Sequence, residues 1–443
     1  MAAFADTLRD ELDAVPVVDP HTHLRPDRPE AGDLADIALY HHVWIELVSA
    51  GMPLTAATQA GLPHELADPG MEPLDRLRAV LPYLTHLRST TCGHLLRTLL
   101  EDLYGVPGGE LTAANLEAVF AAVAGRAADP NWGSHVLADR CRIVKSLTVD
   151  RHEQAPYGPA IGKGVEQDVN LTSGKQGPRD SLLRIEGELG SDLRKAGDYG
   201  EAMHALGRDY SRRPIHFVGL WLLPHFSYVV PTEKQVTEAI ERARADRPLS
   251  HQDLSAFTSY GLRNLLEGMR GGPLRTIQVI VGAEVLPPHR SLTHWGPEFP
   301  GALARLAGEF EDFHLNCSSA SDLYTQDLAI LAKHVPNVSV AGYWWHVLYP
   351  FYIRKSIETR LDIVPANKII AFFSDAYHAE WCYPKLKLVK GIFAEVLLDR
   401  VTRGMYTQET ALSLVRQTFH DNPARIYGIE TRPPPPDAPV RRL

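Results

Sequence analysis

Short apolar runs recur along this chain, separated by stretches of helical periodicity, and that alternation limits the fold more than any other feature of the sequence. The runs are Pro16 to Leu24, Ile143 to Thr148, Leu182 to Glu186, Ile215 to Leu223, Ile277 to Val281, Phe313 to Leu315, Val338 to Tyr343 and Ile369 to Phe373. Their lengths suit strands buried on both faces. Strands alternating with helices specify a parallel sheet, and eight of them favour closure into a barrel over an open sheet. The expected fold is therefore α/β, a distorted (β/α)8 TIM barrel built from residues 1–32 and 130–431.

Between the first two runs the pattern changes. Residues 33–129 show helical periodicity broken by Pro and Gly, as in DLADIALYHHVWIELVSAG, where Asp33 can cap a helix and Gly51 can end one. This predicts a mostly helical insertion. A second helical region, Lys385 to Tyr427, closes the barrel sequence, and the Pro-rich tail 432–443 should be extended.

Charge and cysteine use narrow the class of partner. With 45 Lys plus Arg against 54 Asp plus Glu, the net charge is −9, which argues against a nucleic-acid binder that works by releasing counterions. A small-molecule partner fits better. The four cysteines, Cys92, Cys141, Cys317 and Cys382, have no short pairing and suggest neither disulfides nor a cysteine-zinc site. The first residues are acidic where a secretory signal needs basic ones, and no run reaches the about 18 apolar residues of a membrane span. A cytoplasmic protein without membrane partner is expected. The apolar C-terminal helices can dock within the subunit or against a second copy, which leaves a homo-oligomer open.

In such a barrel, working side chains project from the C-terminal ends of the strands. His21 and His23 end the first run; as i and i+2 on a strand they face the same way and can share a cation. Asp19 is placed to orient their rings. Ser374 and Asp375 follow the eighth run, and in a closed barrel the first and eighth strands are neighbours, so Asp375 should join the two histidines. Two imidazoles and a carboxylate suit Zn²⁺ or a comparable divalent cation. The rival explanation is that the histidines are ordinary polar residues and Asp375 caps the following helix.

The segments DPHTHL, HHVWIELVSAG, GYWWH (Tyr343 at its second position), SDAYH and DNPARIYG, in that order, resemble the uronate isomerase branch of the amidohydrolase superfamily. The resemblance implies a (β/α)8 barrel holding one divalent metal, Zn²⁺ first and Mn²⁺ second, through His21, His23 and Asp375. It also implies aldose–ketose isomerisation, with Asp375 or a metal-bound water as base for a proton moving between C1 and C2. His41 and His42 stand where the family has a His-Tyr pair, and either imidazole can move a proton. Tyr377 stands where the family has a carboxylate-clamping arginine, and no arginine matches the one expected after the third strand.

Arg425 matches a family arginine near the C-terminus, and with Trp345, His225 and Glu284 it is expected to face the substrate. Trp344 would share the apolar wall with Trp345, while His289, His294, Arg151 and Arg290 lie near strand ends. The superfamily's fifth-strand histidine ligand is Ile280 here. Carboxylates at the predicted strand ends, namely Asp150, Glu186, Glu188, Glu284 and Asp375, would repel a uronate and suit a neutral sugar, an amine or a second cation. Three other functions share this frame: hydrolysis of an amide, lactone or imine with His42 or Asp375 as base, carbon–carbon lysis, and binding without catalysis.

Overall fold

The computed structural model describes residues 2–65, 68–149, 160–171, 177–286, 290–293, 296–343 and 347–430. Every apolar run except Leu182 to Glu186 contains a strand. These are β1 (Val17–Thr22), β2 (Ile143–Thr148), β3 (Ile161–Lys163 continued by Val165–Glu166), β4 (Val218–Trp221), β5 (Thr276–Val281), β6 (His314–Ser319), β7 (Val338–Ala341) and β8 (Ile369–Ile370). Each pairs in parallel with the next, from β1 through to β8.

Two irregular joints complete the ring. In β3 the chain pairs with β2 on one side of Gly164 and with β4 on the other, while Gly164 N–H donates to Thr148 O at 2.8 Å. A Cβ at Gly164 would lie 2.2 Å from the Phe217 ring, so only glycine lets the strand pass there. Between β8 and β1 the regular ladder stops, yet Asp375 N–H donates to His21 O at 3.0 Å and His23 N–H donates to Ala376 O at 2.8 Å. The eight strands thus close in a distorted circle.

The run Leu182 to Glu186 is helical instead, within Pro178–Leu189. Five residues of LLRIE fit either period, and their surroundings decide. Pro178 opens the helix, Leu182 and Ile185 bury one face, and Gly190 in the left-handed conformation ends it. The true third strand, IGKGVE, has no apolar run to announce it.

The first helix, the helices of the insertion and the helix after β8 are α1 (Ala2–Ala14), α2 (Leu34–Ala38), α3 (His41–Ser49), α4 (Pro73–Leu84), α5 (Thr91–Tyr104), α6 (Leu116–Ala127) and α7 (Ala379–Thr402). Asp33 caps α2 as expected, accepting from Ala35 N–H at 2.6 Å. Leu34, Ile37, Tyr40 and Trp44 of the insertion share one core with Leu8 of α1, Val17 of β1 and Trp381, Leu386 and Phe393 of α7. Burial of these large side chains against the barrel wall fixes the insertion beside the mouth. Among the described residues no helix is long and apolar enough to cross a membrane. The tail 432–443 lies outside the described residues.

Candidate metal centre

Position 375 has an unusual backbone. Asp375 has φ 49°, in the left-handed region that few non-glycine residues occupy, and a set of hydrogen bonds holds it there. Tyr40 donates its hydroxyl hydrogen to Asp375 O at 2.8 Å, and the buried Lys385 ammonium reaches Ser374 O at 2.7 Å and Tyr40 Oη at 2.9 Å. Ser374 N–H donates to Asp19 Oδ1 at 2.9 Å. Asp19 therefore braces the turn and does not touch the imidazole rings as expected from its place on the strand. Burial pushes its carboxyl up to about 6.

The braced turn aims one oxygen at both histidines. Asp375 Oδ1 lies 3.3 Å from His21 Nε2 and 3.2 Å from His23 Nε2. Charge-assisted hydrogen bonds of this type usually span about 2.7 to 2.9 Å, so both contacts are long for direct bonds. Donor atoms bound tetrahedrally to a zinc-sized cation at about 2.0 to 2.1 Å sit about 3.4 Å apart, which matches.

The proton on His21 supports the same conclusion. His21 Nδ1 is 2.6 Å from Gln278 Oε1, and Gln278 Nε2 donates to Pro20 O at 3.3 Å and to Tyr427 Oη at 2.7 Å. A backbone carbonyl only accepts, which fixes the amide orientation and makes His21 Nδ1 the donor. In the neutral ring, Nε2 then presents its lone pair to a carboxylate oxygen, a repulsive arrangement that a shared cation resolves. The chain of bonds continues from Tyr427 to Asn316 Oδ1 at 2.8 Å and from Asn316 to Ser339 Oγ at 2.7 Å, crossing the barrel interior. Without a cation the ring must take up a second proton. Burial opposes that charge, but bonding and attraction to Asp375 outweigh it and raise His21 above the ordinary imidazole range. Asp375, which burial would raise, is held well below the carboxylate range by the two histidines.

Gln278 is absent from the sequence-derived candidates. Its signal is a buried polar residue amid the apolar residues of IQVIV in β5. Ile280, the position matched to the superfamily's histidine, is a buried apolar residue.

Three further sequence candidates join the centre. The Tyr377 ring stacks on His23, centroids 4.5 Å apart, and meets His41 edge-on at 5.2 Å. His41 and His42 open α3 with ring centroids 4.1 Å apart, and each has a ring nitrogen within 4.8 Å of an Asp375 carboxylate oxygen. Burial, reinforced by His42, holds His41 well below the ordinary imidazole range, so its ring is neutral. Glu65 Oε1, another residue with no place in the sequence reading, accepts the His41 backbone N–H at 3.1 Å.

Other candidates lie elsewhere. Arg425 is exposed and donates to Asn367 O at 2.5 Å, just before β8 begins and hence at the opposite end of the barrel from the metal centre. His225 stacks on His251 at 4.5 Å and is not a member of the cluster. Glu186 and Glu188 belong to the helix Pro178–Leu189 and pair with Arg244 and Arg184, so they do not line the mouth as expected. Three carboxylates of the insertion, Asp33, Asp36 and Glu65, gather instead around the Arg76 guanidinium. Asp150, Arg151, His289, His294, Trp344 and Trp345 lie outside the described residues, as do the side chains of Glu284 and Arg290.

No protein-family profile matches the chain, and no curated protein does. Among solved structures, a glucuronate isomerase from Caulobacter crescentus superimposes with TM-score 0.80 at 17% identity, covering 98% of this chain and 95% of that one. A uronate isomerase from Thermotoga maritima gives 0.78 at 15% identity, covering 96% and 97%. One from Bacillus halodurans gives 0.75 at 16%, covering 97% of each chain. Over nearly its whole length the chain therefore has the fold of uronate isomerases, at a sequence distance that leaves its chemistry to be argued from its own residues.

Proposed function

We propose that this protein is a metal-dependent enzyme that moves a proton between adjacent carbons of a polyhydroxylated small molecule, an isomerisation of the aldose–ketose type. The observation that carries this is Asp375 Oδ1 at 3.3 and 3.2 Å from two histidine nitrogens, one of them with its lone pair fixed toward the carboxylate by Gln278. His21, His23 and Asp375 would hold one divalent cation, Zn²⁺ or Mn²⁺. When bound, the cation supplies positive charge beside the substrate oxygens, where an enediolate develops its negative charge.

The protein's own groups do the rest. His41, neutral and beside Asp375, accepts the proton from C2 on a ring nitrogen and returns it to C1 as the carbonyl shifts from C1 to C2. His42, in ring contact with His41, can carry the proton that passes between the two oxygens. Tyr377 covers one face of His23, and by the resemblance it stands where the family has a guanidinium. Without the family's carboxylate-clamping arginine at this position, an uncharged sugar is favoured over a uronate.

Incubation of the zinc- or manganese-loaded protein with hexoses, pentoses and hexuronates in D₂O tests this by NMR. An enediol intermediate exchanges the C2 hydrogen with solvent, so loss of that signal in one substrate class is expected. Hydrolysis of an amide, lactone or imine at the same centre leaves it in place. Absence of exchange across all three classes in metal-loaded protein overturns the isomerase proposal.

A further inference from the structure

A second group of donor atoms lies beside the first centre and shares no residue with it. Asp36 of α2, His64 of the loop before α4 and His378, which immediately precedes α7, each offer one ligand atom, and these lie within 4.8 Å of one another. His64 Nε2 is 3.3 Å from Asp36 Oδ1 and 3.8 Å from Glu65 Oε1. The first distance again matches the spacing of two donors on one cation.

Two atoms at this group are buried without a hydrogen-bond partner: His378 Nε2 and, at its edge, Glu65 Oε2. Buried polar atoms are normally paired, and unpaired ones that converge call for a ligand. Charge points the same way. Asp33, Asp36 and Glu65 all act on the Arg76 guanidinium. With both imidazoles neutral, the carboxylates outnumber that guanidinium.

We propose that Asp36, His64 and His378, with Glu65 at their edge, form a second divalent-cation site of mixed imidazole and carboxylate donors, suited to zinc, manganese or cobalt. The site is coupled to the first centre through Glu65, whose Oε1 holds the backbone N–H of His41 at 3.1 Å. A cation there fixes the start of α3 and with it the rings that face Asp375. It is a positioning device, separate from the reaction assigned to His21, His23 and Asp375.

Arg76 regulates entry. Its Nη2 lies 3.1 Å from His64 Nδ1, and its Nε donates to Ala57 O at 2.6 Å. A neutral ring that ligates through Nε2 carries its proton on Nδ1, which cannot face a guanidinium N–H. Cation binding therefore turns Arg76 aside. Arg76→Gln, whose amide oxygen can accept from Nδ1, should bind the cation more tightly.

The test is equilibrium dialysis of chelator-stripped full-length protein against Mn²⁺, with metal counted by plasma mass spectrometry. The wild type should hold about two ions per chain, and His21→Ala/His23→Ala and His64→Gln/His378→Gln about one each. Arg76→Gln should lower the dissociation constant of one ion about threefold or more. One ion in the wild type, removed by the first double variant and untouched by the second, overturns the second site and leaves the first centre standing. No ion at all overturns both. Should the His64/His378 variant misfold by circular dichroism, Mn²⁺-soaked crystals of the wild type decide: an anomalous peak between Asp36 and His378 supports the site, and a peak at Asp375 alone overturns it.

Discussion

His21 on β1 and Gln278 on β5 meet across the barrel interior, Nδ1 to Oε1 at 2.6 Å. That bond selects the tautomer of a histidine proposed as a metal ligand, because Gln278 is itself fixed by Pro20 O and Tyr427. Gln278→Leu removes it while keeping bulk and burial. Metal affinity at the first centre should fall about 10- to 100-fold, as for other partners that orient ligand histidines. Competition with a chelating dye measures this, and an unchanged affinity would contradict the assigned tautomer.

Asp375→Asn separates ligation from folding. Asparagine tolerates the left-handed backbone at φ 49° as well as aspartate does, so the turn should survive. The variant should lose turnover and most of its metal, while its unfolding midpoint in urea without metal changes little. Full activity in Asp375→Asn would remove Asp375 from the mechanism.

Lys385 is buried and bonds Ser374 O and Tyr40 Oη. Lys385→Met leaves those acceptors without their donor and should destabilise the protein by about 2 to 4 kcal/mol. Turnover should fall with it, since the strained Asp375 turn loses its brace. Urea unfolding followed by circular dichroism reads the first effect.

The pair Asp36–His64 sets a pH dependence in metal-free protein. Burial opposes both charges. The His64 bond lowers Asp36 below its ordinary 3.8, and the Asp36 bond raises His64 above its ordinary 6.5. A depressed aspartate contributes stability above 3.8 that is lost as pH falls through its folded value; a raised histidine contributes stability below 6.5 that is lost as pH rises through its folded value. The contribution is therefore greatest between those limits. His64→Phe should lose less stability than the wild type between pH 5 and pH 8, and parallel losses in the two proteins would contradict the pairing.

His42→Phe keeps a ring against His41 but removes its nitrogens. Turnover should fall about 10- to 1,000-fold with metal content unchanged. Loss of metal in His42→Phe would show that this residue ligates.

The parts legible in the sequence are those specified locally. A period of two places His21 and His23 on one face, and apolar runs mark most of the strands, so the join of β8 to β1 and the meeting with Asp375 follow from barrel closure. What is not legible depends on close approach or on long-range packing. β3 turns on Gly164, which admits the Phe217 ring, and nothing in IGKGVE alternates or runs apolar. Arg425 lies within a segment, DNPARIYG, that resembles the family's, yet its helix places the guanidinium at the far end of β8. The grouping of Asp36 and His64 with His378 needs the insertion to dock on α7, which only the shared core around Trp44 and Trp381 brings about.

The most direct test of the central claim is the metal content of protein purified without a histidine tag, measured by plasma mass spectrometry beside His21→Ala/His23→Ala. The double variant should contain about one divalent ion per chain fewer than the wild type, with its circular dichroism spectrum retained. Equal metal content in the two proteins, or a wild type that stays empty after exposure to Zn²⁺ and Mn²⁺, would contradict a metal centre at His21, His23 and Asp375.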